Sequence, residues 1–231
     1  MTKNAVLKRV DELRVIRRKI NVAHMEAGVN IIDLDNTYID ETVSIGTGTV
    51  IYPGVILEND SMIGPNCVIG ANTRLVGSKL GEGVEVWYSM VVESIIGDYT
   101  KVGPFAYIRP GSRIGSNVRI GDFVEIKNSN IGDNTSVSHL TYIGDSDVGD
   151  RVNFGCGTVT VNYDGKEKYR TTIGDNAFIG CNTNLIAPVK VGNSAYTAAG
   201  STITFDVPDE SLAIARERQT NMDGYAKRYL T

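Results

Sequence analysis

From Ile39 onward a large aliphatic side chain returns every six residues: Ile39, Ile45, Ile51, Leu57, Ile63, Ile69 and Leu75. After a short irregularity the series resumes at Ile96, Val102, Ile108, Ile114, Ile120 and Ile126. It shortens by one residue to Ile131, continues through Val137, Ile143, Val148 and Phe154, and ends as Ile173, Ile179, Leu185, Val191 and Ile203. Glycine often follows the aliphatic, as at Gly64, Gly70, Gly97, Gly115, Gly132 and Gly174. Neither the helical period of about 3.6 nor the strand period of about 2 generates this pattern. Units of one very short strand plus a turn do generate it. Three such units make a triangular coil of about 18 residues, with one aliphatic per side pointing inward. Coils of this kind stack at roughly 4.8 Å, and small corner residues let the backbone turn. The expected fold is all-β, a left-handed parallel β-helix of hexapeptide repeats, an exception to the right-handed crossover rule.

The ends of the chain read differently. Over residues 1–30, Val6, Val10, Leu13, Ile16 (or Arg17) and Ile20 recur at helical spacing among Lys8, Arg9, Arg14, Arg17, Arg18 and Lys19. This predicts an amphipathic linker or packing α-helix ahead of the coil, its basic face solvated. The β-helix is expected over 31–206, with an inserted loop at 162–169. Pro208, Asp209 and Glu210 break the repeat, so 207–231 is expected to be an irregular polar tail.

Composition narrows the function classes. Lysine and arginine number 23 against 27 acidic residues, so no nucleic-acid or membrane partner is implied. The first twenty residues carry basic side chains but no apolar signal-peptide core, and nothing approaches the ~18 apolar residues of a membrane span. A cytoplasmic location with reduced thiols is the expectation. Cys67, Cys156 and Cys181 follow no zinc spacing and His24 and His139 are the only histidines, so no metal site is expected. A γ-type carbonic anhydrase, which shares such a fold, needs three histidine ligands and is disfavoured.

Coil arithmetic places side chains. Arg109 and Lys127 are 18 apart, so they belong on adjacent coils at one corner. They repel by about 1 kcal/mol in water at such spacing, and either solvent screens them or an anion such as a phosphate bridges them. Between Thr160 and Ile173 the repeat carries seven extra residues, including Asn162-Tyr163-Asp164-Gly165-Lys166-Glu167-Lys168. Such a loop either covers a site or is neutral decoration. Corrected for the insertion, Cys156, Cys181 and Ala199 stack in a column with His139 one coil below. This is either a groove for a thin extended ligand or the usual corner preference for small residues. The backbones of Cys156 and Cys181 are close enough for a disulfide on distance alone, but two thiols lining the groove are expected in a reducing compartment.

The stretches His139-Leu140-Thr141-Tyr142-Ile143-Gly144-Asp145 and Asn162-Tyr163-Asp164-Gly165 are more specific than the hexad. With Arg151 to Gly155, Gly103-Pro104-Phe105, Arg109-Pro110, Gly121 to Lys127, Ala198-Ala199-Gly200 and Arg216, they resemble a known family over nearly the whole chain. It is the C-terminal half of the bacterial bifunctional N-acetylglucosamine-1-phosphate uridyltransferase/glucosamine-1-phosphate N-acetyltransferases. The resemblance implies acetyl transfer from acetyl-CoA to glucosamine 1-phosphate, for UDP-N-acetylglucosamine and cell-envelope synthesis, by a homotrimer with sites between subunits and no metal in the step. It implies His139 as general base; Arg109, Lys127 and Lys168 on the sugar phosphate; Tyr142, Asn153 and Glu125 on the pyranose. Cys156, Asn162, Tyr163, Cys181, Ala199 and Arg216 would contact acetyl-CoA. That family usually has Ala where Cys156 stands and Ser where Cys181 stands, so sensitivity to thiol reagents is expected. The family's nucleotidyltransferase domain, with its Gly-rich loop, is not in this sequence.

A neutral amine is the nucleophile such a reaction needs, and a histidine with a reference pKa near ~6.5 can accept its proton. A backbone N–H near Asn162-Tyr163, or the Asn162 amide, would stabilise the oxyanion. The competing readings are another hexapeptide acyltransferase, acting on serine or a lipid-precursor sugar, and a non-catalytic β-helix used for assembly.

Overall fold

The computed structural model describes residues 2–229. A helix, Lys3–Glu26, leads into a column of two- to four-residue strands running from Asn30–Ile31 to Leu212–Ala213. The strands sort by turns into three parallel sheets of 11, 10 and 9 members. Each sheet forms one face of a prism, and one inward aliphatic per strand fills its interior. Ile51, Leu57, Ile69, Leu75, Ile108 and Ile126 are all fully buried, each contributing about 1.5–3 kcal/mol of apolar transfer. The chain is a parallel β-helix with one N-terminal helix.

The apparent irregularity after Leu75 is filled. Leu80, Val86 and Val91 occupy the missing rungs, pairing with Ile96, Val102 and Ile108. Sides of five residues there shorten the coil below its usual length, which hides the period from a six-residue count. The seven extra residues lie where the count puts them, because Val148 pairs with Ile173 across them.

A second inward element has no apolar signature. Buried hydroxyls just before the rungs stitch coil to coil. Thr100 Oγ1 donates to Gly115 O at 2.7 Å and accepts from Val118 N at 3.0 Å, and Thr49 and Thr135 do the same on other coils. These small polar side chains satisfy corner backbone groups that would otherwise be orphaned.

One expectation is narrowed and one needs correction. The helix does not pack along its length: Val6, Val10, Leu13 and Ile16 are exposed, and only Asn21 is fully buried. Asn21 Nδ2 donates to Leu34 O at 2.9 Å and Thr37 O at 3.0 Å, so a polar clamp holds the last turns to the first coil. Gly28, at φ 91°, reverses the chain from that helix into the first strand. The segment from 207 does not start as an irregular tail. Val207 is buried and Leu212–Ala213 pairs with Tyr196–Thr197, adding one more coil before a 3₁₀ turn at Tyr225–Tyr229.

Candidate active site

His139 ends the strand Ser136–His139 on the first face, and parallel pairing sets it directly above Asp122. Its Nδ1 lies 2.6 Å from Asp122 Oδ1. A carboxylate only accepts, so Nδ1 donates, and in the neutral ring Nε2 keeps the free lone pair. The hydrogen bond from His139, followed by a backbone N–H, holds the Asp122 carboxyl below the ordinary carboxylate value. Sequence reasoning missed Asp122, although it sits one coil before His139 by the same arithmetic that aligned the cations. Leu140, next to His139, continues an exposed aromatic ladder formed by Tyr88, Phe105 and Phe123 on the lower coils.

Arg109 and Lys127 do follow paired rungs, Ile108 and Ile126, but they do not simply face one another. Arg109 Nη1 pairs with Glu125 Oε1 at 2.7 Å. Lys127 Nζ lies 3.5 Å from Asp145 Oδ2. Glu125, expected on the pyranose, is thus engaged by Arg109. Lys168 comes back from the inserted loop to touch Lys127, whose ammonium pushes it below the ordinary lysine value. Three cations meet two carboxylates, and the excess positive charge makes the cluster attractive to an anion. Tyr142 joins it: the phenol folds back over Gly144, where an added Cβ would meet its hydroxyl.

The loop is bolted at both ends. Asp145, buried and at φ 49°, accepts from Asn128 Nδ2 at 2.6 Å and from Asn162 Nδ2. Burial pushes its carboxyl up, but those two amides and Lys127 more than offset this, leaving it below the ordinary value. At the other end Arg170 pairs with Asp147 at 2.8 Å and donates to Ser146 O and Asn128 O. Between the bolts, Tyr163 bridges Lys168, Tyr169 N donates to Asn162 O at 2.9 Å, and Asp164 Oδ1 accepts two backbone N–H groups. With Asn162 buried and one amide hydrogen on Asp145, Tyr163 is the exposed side chain of the pair. Asp147, Asn128 and Arg170 did not stand out in the sequence, and Asp145 only as the end of a family-like stretch with no role given it, because their partners lie a coil or more away and off the hexad ladder.

The column of small residues is present. Gly157 N donates to Leu140 O, Asn182 N to Cys156 O at 2.7 Å, and Gly200 N to Cys181 O at 2.8 Å. His139, Cys156, Cys181 and Ala199 therefore occupy equivalent corner positions on successive coils. Both cysteines are free, Cys181 exposed and Cys156 half-buried. Arg216 leaves the last coil beside Gly200, at the upper end of the column.

Not every expected site residue is gathered. Asn153 lies on the first face between Ser136 and Phe178, round a corner from the cations. Among the described residues no hydrogen bond or ion pair joins it, or His139, to that cluster. Nor do the described residues hold any group of three His, Cys, Asp or Glu side chains that could bind a metal, and no helix among them is long and apolar enough to cross a membrane.

Comparison with known proteins gives a consistent picture. The bacterial transferase hexapeptide (six repeats) signature matches residues 36–71, 93–128 and 170–204. "Bifunctional protein GlmU" of Acetivibrio thermocellus is 62% identical over 207 residues, covering 90% of this chain and 45% of that protein. The GlmU of Clostridium botulinum (strain Kyoto / Type A2) is 59% identical over 91% of this chain and 46% of its own length. The GlmU of Alkaliphilus oremlandii is 55% identical over 93% and 47% respectively. The chain thus spans just under half the length of these relatives. Among solved structures, UDP-N-acetylglucosamine acyltransferase from Francisella novicida superposes with a TM-score of 0.57 at 17% identity, over 80% of this chain and 66% of that one. That likeness is one of fold.

Proposed function

We propose that this chain is a hexapeptide-repeat transferase, related to about half of each GlmU protein it matches, and that it moves an acetyl group from acetyl-CoA to the amine of glucosamine 1-phosphate. The observation that carries this reading is the placement of the His139–Asp122 pair at the foot of the small-residue column. A base with its lone pair free then stands where a pantetheine arm running down the corner would deliver its thioester.

In this reading the sugar phosphate sits on Arg109, Lys127 and Lys168, with Tyr142, Asn153 and Glu125 orienting the pyranose. Cys156, Asn162, Tyr163, Cys181, Ala199 and Arg216 line the path of acetyl-CoA. His139 Nε2 takes a proton from the amine, which attacks the thioester carbon. The tetrahedral intermediate collapses, the C–S bond breaks and the CoA thiolate leaves. Alignment of amine and thioester in the narrow corner supplies much of the rate enhancement. Because Asn153 and the cations lie on different sides of one chain, the complete site is assigned to a homotrimer with sites between subunits. The coil is read as left-handed, the hand that such short hexad sides adopt. Residues 1–30 act as an arm and 31–206 as the catalytic β-helix, with its loop at 162–169 and one further coil closed by Leu212–Ala213. We read the chain as acting in cytoplasmic UDP-N-acetylglucosamine synthesis.

The test is release of CoA thiol with glucosamine 1-phosphate as acceptor, run beside serine and an acceptor-free control. Release that depends on the sugar phosphate, and a kcat lowered by ~10²–10⁴ in His139→Ala, is the expected result. Equal release with serine, or near-normal turnover without the imidazole, would overturn the assignment.

A further inference from the structure

Cys156 and Cys181 hold equivalent corner positions on adjacent coils, with no residue between them. Phe154 pairs with Ile179 in register, and Asn182 N donates to Cys156 O at 2.7 Å. Stacked backbones of this kind lie about 4.8 Å apart, inside the ~4.4–6.8 Å range of Cα separations that a disulfide spans. Both residues lie in turns rather than within strands, so their Cβ atoms can approach without breaking the ladder below. The two thiols are also accessible, whereas Cys67 is fully buried, with its Sγ 3.1 Å from Gly81 O. The chain therefore carries one reachable dithiol and one sequestered thiol.

We propose that Cys156 and Cys181 form a dithiol that exchanges with small-molecule disulfides, and that its closure shuts the groove beside His139. The exposed Cys181 thiolate attacks the small disulfide, whose S–S bond breaks; one thiolate leaves and takes up a proton. The Cys156 thiolate then attacks the Cys181 sulfur of the mixed disulfide and expels the second small thiol. Two electrons pass from the protein to the small disulfide, and the two protein protons end on the released thiols. The bridge lies across the corner one coil from His139, where the proposed function runs the pantetheine arm. The effect on activity therefore rests on that reading, whereas the bridge itself rests on coil geometry alone.

The experiment incubates the full chain with bis(2-hydroxyethyl) disulfide, follows intact mass and native thiol titre, and maps the cross-link by peptide digestion. The expected result is loss of two hydrogens, a Cys156–Cys181 linked peptide, and Cys67 still reduced. Acetyl transfer should fall at least about tenfold in the closed form and return with dithiothreitol. Cys181→Ser should abolish both the two-hydrogen loss and the reversible inhibition relative to its own untreated control. A stable mixed disulfide on Cys181 alone, a link through Cys67, or covalent dimers would overturn the dithiol. A mapped Cys156–Cys181 bridge with unchanged acetyl transfer would leave the dithiol standing and remove the groove from the proposed function.

Discussion

Replacing Asp145 by Asn should loosen the inserted loop while leaving the β-helix intact. Asn keeps the shape and tolerates the left-handed φ of 49° at this position. It has one acceptor oxygen where the carboxylate has two, and those two receive Asn128 and Asn162. The new NH₂ group therefore either faces another NH₂ or turns a neighbouring amide over, in a site only 5% exposed. A hydrogen bond to a charged group contributes about 1.5–3 kcal/mol, and a buried donor left unmatched costs about 1–3 kcal/mol. The two overlap, so the local cost is about 2–4 kcal/mol, equivalent to a ~30- to 10³-fold rise in the open population. Lys127 loses its partner as well, though at 20% side-chain exposure water replaces part of that contact. Hydrogen exchange reads the result at Tyr169 N–H, which donates to Asn162 O, and at Thr171 N–H, which donates to Asp145 O. Protection of a 162–171 peptide should drop by the stated factor, with peptides from Ser136–His139 unchanged. Protection kept within about threefold, or an equal loss everywhere, would refute Asp145 as the local anchor. The pH dependence has a definite sign. A carboxyl whose folded pKa is depressed contributes stability that is present above the ordinary value near ~3.9 and lost as pH falls through the folded value. Loop protection in the unaltered chain should stay level down to about pH 4 and collapse below it.

Two further outcomes follow from the site. Asp122→Asn can present an amide donor to His139 Nδ1 and so favour the wrong tautomer; kcat should fall about tenfold or more with KM for the sugar phosphate little changed, measured by steady-state acetyl transfer. An unchanged kcat would mean that the 2.6 Å contact does not orient the base. Lys168→Ala should raise KM for glucosamine 1-phosphate about tenfold at constant kcat. In the unaltered chain, affinity for the sugar phosphate, read by calorimetry, should weaken as pH rises through the lowered pKa of Lys168, before the ordinary lysine value near ~10.4; affinity flat to that value would argue against Lys168 as a phosphate ligand.

A six-residue spacing of Ile, Leu and Val has one economical solution, because each short side can bury just one large side chain, and that solution is a stacked triangular coil. Ile39 to Leu75 therefore announce the architecture, and Val148 pairing across 25 residues with Ile173 shows that even the insertion could be counted. The same arithmetic aligned Arg109 with Lys127 and stacked Cys156 on Cys181. It failed where sides contract: Leu80, Val86 and Val91 are ordinary rungs in a stretch where three of the four steps from Leu75 to Ile96 are five residues, invisible to a fixed period. Hydrophobic spacing also marked Val6, Val10 and Leu13 as a helix but could not say that nothing in this chain covers them. Packing of that helix depends on Asn21 finding two carbonyls on the first coil, a contact that carries no apolar signal. The charge partners were the least visible. Asp122 beneath His139, Glu125 beside Arg109 and Asp145 beneath the loop are acidic residues whose pairing leaves no mark in the sequence, the first two half-buried and the third buried. Their roles arise because coils about 4.8 Å apart bring side chains from 16 or more residues away within hydrogen-bonding reach. Period is a property of the backbone's local geometry and survives in the sequence; lateral pairing between coils is a property of the closed solid, and exists only once the prism is built.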